Sequence, residues 1–337
     1  MKFALFVHEA GSYASVSALA DDLEASIASK GERDPFVYEG REALLLTLSF
    51  ATERGRMGGY AIVIAGRAAA KGEAGEAGYV LLGRSAEGEV ERWADFILSC
   101  LDCFSIDRAA KRSPGPLSQY LLAYPARRAE TRKVLFGDST IDLPYSAEEA
   151  SQVLDTAGRE FRVLAAYGDE TTPWQAAWAR CYRMIYKESA RRLDRFVAAV
   201  DPLLPEDPTE AARFLLKWVQ GWKYDRGPEA LDFIDPLTAV TESRGDCDTR
   251  AVVMAIILKR RGIDTILMLS RDYEHAVAGI DVPGGGQRFP FAGKDWLVAE
   301  TTAVKGIVGG KETTIGLGMI AADQNDWKKW LGVRLGD

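Results

Sequence analysis

The chain has 337 residues, 47% of them apolar and 27% charged, with 32 Gly and 13 Pro, a globular composition that excludes collagen-like, disordered and disulfide-scaffold chains. A formal charge of −7 offers no global field to nucleic acid, and no run of about 18 apolar residues is present to span a bilayer. Four cysteines are too few to staple a secreted framework, and at about 100–200 residues per domain the length predicts two domains.

The apolar stretch at 3–7 is too short for a signal sequence and lacks a small-residue cleavage site. As written the chain reads as cytoplasmic, or as periplasmic or extracellular had a leader been removed. The same stretch suits a strand. Val16, Leu19, Leu23 and Ile27 follow at helical spacing, with Gly31 placed to end the helix. Strands are predicted at 35–38, 60–64 and 79–82, whereas 41–51 fits helix or strand. The small and charged stretch 65–78 reads as a loop. Val90, Trp93, Ile97, Leu101 and Phe104 restore a helical stripe, and Ser113-Pro114-Gly115-Pro116 marks a boundary. Residues 1–125 are therefore expected to form an N-terminal α/β accessory domain.

A connector is expected over 126–206. It begins near a predicted strand at 119–124, continues through a helix at 147–155, and holds a long helix opened by Thr172-Pro173-Trp174-Gln175, where Thr caps, Pro fits the first position and Gln completes a capping box. Trp178, Tyr182, Ile185, Tyr186, Leu193, Phe196 and Val197 form its apolar face, which is core packing rather than a cofactor box. The basic clusters at 127–133 and 191–195 contain acids and read as solvated faces.

The third segment, 207–337, carries the chemistry. Asp207-Pro208-Thr209-Glu210 starts a helix buried through Phe214, Leu215, Trp218, Val219 and Trp222. A loop over 223–244 leads to Asp246, a cap for a helix whose first turn holds Cys247 and whose apolar run at 252–258 predicts burial on all sides, up to Gly262. Strands are predicted at 265–269, 274–282 and 296–301, with Pro283-Gly284-Gly285-Gly286 as a turn.

Only two histidines are present, His8 and His275, so a histidine-dependent mechanism must use one of them. A cysteine in a helix's first turn meets unpaired N–H groups and a dipole that favour thiolate, and a thiolate beside an imidazole is a nucleophile. Period-two alternation places His275, Val277 and Gly279 on one face and Trp296, Val298 and Glu300 on another. A hairpin closed by the Gly-rich turn, with 282 near 293 and 275 near 300, would make His275 and Glu300 cross-strand neighbours. Glu300 would then orient the imidazole as the third member of a triad.

Gly245-Asp246-Cys247-Asp248-Thr249-Arg250-Ala251, His275-Ala276 and Trp296-Leu297-Val298-Ala299-Glu300-Thr301-Thr302 resemble the Cys, His and Asp motifs of the transglutaminase-like superfamily, in the same order. Gln220-Gly221-Trp222-Lys223-Tyr224 resembles the segment before the nucleophile in bacterial cysteine-protease-type members. The resemblance spans about 208–318, and 1–170 match no family. It implies an α+β, papain-like fold with the cysteine helix packed on an antiparallel sheet. It also implies thiol-dependent acyl transfer on a peptide, amide or isopeptide bond of a protein or peptide substrate, with catalytic residues Cys247, His275 and Glu300 and no metal or cofactor. Two departures stand out: Val277 replaces an aromatic residue, and Glu300 replaces the commoner Asp.

The Cys247 backbone N–H is the expected oxyanion donor, joined by the Gln220 side chain, for which a solvated helix end is the alternative reading. Water is the expected acceptor, with protein cross-linking to an amine as the alternative. A non-catalytic binding module on the same fold is the rival reading, as is an adaptor that meets a protein partner through its N-terminal domain. His8 is expected to be structural, Cys181 to be core, and Cys100 with Cys103 to pack, since zinc needs a second ligand pair.

Overall fold

The computed structural model describes residues 1–29, 31–70, 74–106, 115–121, 129–167, 172–226, 233–308 and 311–336. Its contacts divide the chain into two compact units, Met1–Ala123 with Arg162–Tyr167, and Tyr124–Phe161 with Gly168–Asp337. The segment 126–206, expected as a connector, thus falls largely inside the second unit. Both units combine helices with antiparallel sheets, an α+β organisation. No helix among the described residues is long and apolar enough to cross a membrane.

The first unit contains β1 (Lys2–His8), α1 (Val16–Ser26), β2 (Glu32–Tyr38), β3 (Arg41–Thr52), β4 (Gly55–Ile64), β5 (Gly78–Ala86), α2 (Val90–Leu101) and α3 (Pro116–Leu121). Its five strands form one antiparallel sheet in the order β1-β5-β4-β3-β2. Helix α1 covers one face, packing Leu19, Ala20 and Leu23 on Leu44, Leu46, Leu48 and Phe50. On the other, Ile97 and Leu101 of α2 meet Leu45, Ile62, Ile64 and Leu81. Burial from both sides makes β3 apolar without alternation, which is why its sequence fits helix and strand equally well.

Two local expectations change. Helix α1 stops before Gly31, with Ile27 as its C-cap. Gly31 has a different reason to be glycine, because a Cβ there would stand 2.0 Å from the Thr47 carbonyl oxygen of β3. Residues 119–121, expected in a strand, are helical in α3, and 122–124 lie outside the described residues. The buried Asp102 carboxylate accepts from the first backbone amides of α3, Leu117 at 2.8 Å and Ser118 at 3.2 Å. This cap comes from a distant residue, so no local sequence signal announces it.

The second unit begins with a hairpin, β6 (Glu130–Phe136) and β7 (Ser139–Tyr145), that no sequence pattern predicted. It continues through α4 (Ala147–Tyr167), whose last residues from Arg162 belong to the first unit, the long α5 (Thr172–Val200), α6 (Pro208–Gln220), β8 (Lys223–Tyr224), α7 (Pro236–Glu242), β9 (Arg244–Gly245) and α8 (Cys247–Arg260). After α8 come β10 (Thr265–Ser270), β11 (His275–Ile280), β12 (Arg288–Phe291), β13 (Lys294–Ala299), the pair β14 (Lys305–Val308) and β15 (Lys311–Thr314), and β16 (Leu331–Arg334). The main sheet is antiparallel in the order β12-β13-β11-β10-β16.

Helix α8 packs on β10 and β11. Every side chain from Val252 to Leu258 is fully buried, as the uninterrupted apolar run predicted. Asp246 caps it, accepting from the Thr249 amide at 2.8 Å. The connection from β11 to β13 differs from expectation. Pro283 to Gly286 do not close a hairpin between them; the chain first crosses to the sheet edge as β12. The tight turn is at Ala292 and Gly293, with φ of 52° and 81°, the left-handed pair that a two-residue hairpin needs.

Candidate active site

Cys247 occupies the first position of α8, and its location is set by two short strands. β8 and β9 pair in parallel, Lys223 with Arg244 and Tyr224 with Gly245, which brings the end of α6 against the start of α8. Arg250, one turn into α8, fastens the junction. Its guanidinium is buried and donates to Gly245 O at 2.9 Å, Trp222 O at 2.9 Å and Thr301 O at 3.4 Å, while lying 5.6 Å from the centre of the Tyr224 ring. No carboxylate among the described residues pairs with it, so this buried cation rests on carbonyl dipoles and one aromatic face.

His275 opens β11 and Glu300 follows β13. The ladder pairs Ala278 with Ala299, Gly279 with Val298 and Ile280 with Leu297, a register two residues away from the expected one. A two-residue shift preserves which face each side chain occupies, so His275 and Glu300 still meet, with Nε2 2.6 Å from Glu300 Oε2. The other carboxylate oxygen accepts from Thr302 N at 2.8 Å, Thr302 Oγ1 at 2.7 Å and Ala303 N at 3.2 Å. Trp330 supplies an aromatic ring edge-on to the imidazole at 6.2 Å.

Cys247 and His275 line one cavity of about 350 Å³ together with Asp248, Tyr224, Trp178 and Tyr182. The Ala276 backbone N–H, next to His275, is close enough to the sulfur to favour its charged form. With Nε2 committed to Glu300, Nδ1 is the ring nitrogen left for other work. The thiol donates to Asp248 Oδ1 at 3.7 Å, and Tyr182 Oη donates to Asp248 Oδ2 at 2.6 Å.

These contacts decide the resting protonation. Burial pushes the Cys247 thiol up, the Asp248 and Asp246 charges push it further, and the Ala276 N–H opposes them. The helix-start thiolate expected from sequence is therefore not favoured at rest. Burial disfavours the His275 imidazolium, but the hydrogen bond and charge of Glu300, with a contribution from Asp248, hold it above the ordinary imidazole value. Burial likewise disfavours the Glu300 carboxylate, and its bonds from His275 and Thr302 reverse this to leave it below the usual range.

Gln220 takes a different place from the one expected. Its Nε2 donates to the carbonyls of Glu300 at 2.8 Å, Ala303 at 2.9 Å and Ile315 at 3.2 Å. An amide so occupied braces the loop behind Glu300 instead of facing an oxyanion. Arg250, Asp248 and Trp330 carried no separate signal in sequence, except that Arg250 interrupts a buried apolar helix.

No family model, curated protein or solved structure matches the chain. None of the remaining candidates is among the residues that line the cavity. Cys181 is fully buried in α5, which pushes its thiol up. Cys103 is exposed beyond the end of α2, Cys100 is half-buried, and His8 is edge-on to Tyr13 at 5.2 Å. Among the described residues no cluster of His, Cys, Asp and Glu is arranged to hold a metal.

Proposed function

We propose that the second unit is a papain-like, transglutaminase-like thiol domain that transfers acyl groups from a peptide, amide or isopeptide bond of a protein substrate, with water as acceptor. The observation that carries this reading is the buried 2.6 Å bond between His275 and Glu300 beside Cys247 at the start of α8. In the proposed reaction the Cys247 proton passes to His275 Nδ1 as the sulfur attacks the carbonyl carbon. The tetrahedral oxyanion meets the Cys247 backbone N–H, one of the unpaired donors of a helix start. Collapse breaks the C–N bond, His275 protonates the leaving amine, and a thioester remains. Water, deprotonated by the same imidazole, then releases the acid. Glu300 keeps the ring oriented and supports the imidazolium throughout.

A second reading draws on the burial of Cys247 and its contact with Asp248: a binding module that keeps the fold without turnover. Site-resolved alkylation by iodoacetamide, combined with casein digestion in the presence and absence of dansylcadaverine, separates the readings. The enzyme reading expects Cys247 labelling that slows strongly in His275→Ala, and casein fragments that disappear in Cys247→Ala. Dansyl incorporation in place of fragments would assign the amine as acceptor. Labelling indifferent to His275→Ala, with casein left intact, overturns the enzyme reading.

A further inference from the structure

Strand β1 bonds to β5 along one side, and its other side pairs with no strand among the described residues. Soluble proteins shield such edges with charges, prolines, bulges, short strands or a covering segment. Over residues 3–7 β1 has no charge, proline or bulge, and its side chains are bare: Phe3 is 46% exposed, Leu5 51%, Phe6 46% and Val7 62%. The register with β5 shows where each one points. Ala4 and Phe6 stand opposite Leu82 and Val80 on the α1 face, whereas Phe3, Leu5 and Val7 stand opposite Gly83, Leu81 and Tyr79 on the α2 face. Phe6 borders a cleft of about 100 Å³ with Leu19 and Leu23 of α1, and the Phe3 ring is 6.5 Å from Phe96 of α2. Both core layers thus run to the sheet edge and stop half covered.

We propose that β1 pairs with β1 of a second copy of this chain, antiparallel and centred on Leu5, joining two five-stranded sheets into one. An antiparallel pair of identical strands is self-complementary and closes as a two-fold dimer. Centring on Leu5 pairs the whole strand without overhang: Leu5 meets Leu5, Phe3 meets Val7, and the small Ala4 meets the large Phe6. The two-fold axis keeps each face on its own side. The exposed Phe3, Leu5 and Val7 of both copies gather beside the two α2 helices, and both Phe6 rings gather beside the two α1 helices. Charge selects the direction. Lys2 and Glu9 have no ion-pair partner among the described residues. Antiparallel pairing sets each Lys2 at the His8–Glu9 end of the other copy, whereas parallel pairing would stack lysine on lysine. This inference is independent of the thiol-site reading.

Sedimentation velocity of the full chain over a concentration series tests it. The expected species has twice the 36.9 kDa chain mass, and the double variant Leu5→Lys/Val7→Lys sediments as a monomer with unchanged circular dichroism. In a Cys103→Ser background, Leu5→Cys forms a covalent dimer under mild oxidation and Lys2→Cys does not, because only position 5 faces itself. The cross-link decides the matter if the lysine variant fails to fold. A monomer at every concentration, which would leave the edge to a strand of another protein, overturns the proposal. So does an open series of larger species, a dimer indifferent to the lysine substitutions, or cross-linking through Lys2→Cys in place of Leu5→Cys.

Discussion

Glu300 meets His275 just past the end of the β11–β13 ladder. The last pair on that side is Ala278 with Ala299, and Glu300, the next residue in the chain, bonds Nε2 at 2.6 Å while its other oxygen accepts from Thr302 and Ala303. A carboxylate held at both oxygens fixes the ring in one orientation, and an Asp, one methylene shorter, would have to give up one of the two holds.

The imidazole therefore depends on Glu300 for its charge. With only two histidines in the chain, NMR titration assigns His275 by comparison with a His8→Gln variant. His275 is expected to titrate above 6.5, its ordinary value, in the parent. In Glu300→Gln it should titrate well below its parent value, because burial is then opposed only by the Asp248 charge. Glu300→Asp should behave more like Glu300→Gln than like the parent, since the shorter side chain keeps Thr302 and Ala303 and gives up Nε2. An unshifted His275 in Glu300→Gln would refute the dependence.

The same pair contributes to stability in a bounded pH window. His275 has a raised folded value, so its contribution is complete below the ordinary imidazole value of 6.5 and is lost as pH rises through the folded value. Glu300 has a lowered one, so its contribution is present above the ordinary carboxyl value of 4.5 and is lost as pH falls through the folded value. The difference in melting temperature between parent and Glu300→Gln should be widest between these limits and narrow on both sides. A difference that grows steadily toward alkaline pH would contradict the assignment.

Asp248 sets the reactivity of the thiol. It accepts the Cys247 proton at 3.7 Å and is itself held by Tyr182 at 2.6 Å. Asp248→Asn removes a negative charge beside the sulfur while keeping a side chain of the same shape. Alkylation of Cys247 at neutral pH should accelerate by about threefold to tenfold, since a tenfold change in thiolate corresponds to one pKa unit. Mass spectrometry separates this site from the exposed Cys103, which labels in every variant. Equal rates in parent and Asp248→Asn would show that the carboxylate has no hold on the thiol.

What could be read from sequence follows physical lines. The thiol helix was legible because its cap, its buried run and its stop at Gly262 are consecutive in the chain. The meeting of His275 with Glu300 was legible because alternation depends on parity alone, and the register shift of two kept parity. The register itself was not, since edge strand β12 contains Pro290, which weakens a strand pattern. The hairpin β6–β7 buries only Val134 and Phe136 on its first strand, too few to mark a strand, and α3 takes its cap from Asp102, so neither has a local signature. Gln220 read as a solvated helix end because the carbonyls it binds lie some 80 to 95 residues further along the chain.

Arg250 yields the sharpest structural prediction. One buried guanidinium serves the carbonyls of Gly245, Trp222 and Thr301, which belong to the three segments converging on Cys247, the start of α8 and the loop after Glu300. Arg250→Met would take this donor from the Trp222 and Thr301 carbonyls, while Gly245 O keeps the Asp225 amide at 3.4 Å, and an unsatisfied buried polar group costs about 1–3 kcal/mol. The loss should be about 2 kcal/mol or more in urea unfolding, because two acceptors are orphaned together. Arg250→Lys keeps the charge but not the planar fork that reaches three directions, so it should recover part of the stability and not all of it. Because Arg250 holds the Thr301 carbonyl next to Glu300, Arg250→Lys should also lower the His275 titration point relative to the parent. Full stability in Arg250→Met would show that the three segments hold together without the guanidinium. Full recovery by Arg250→Lys would show that charge, rather than the fork of donors, joins them.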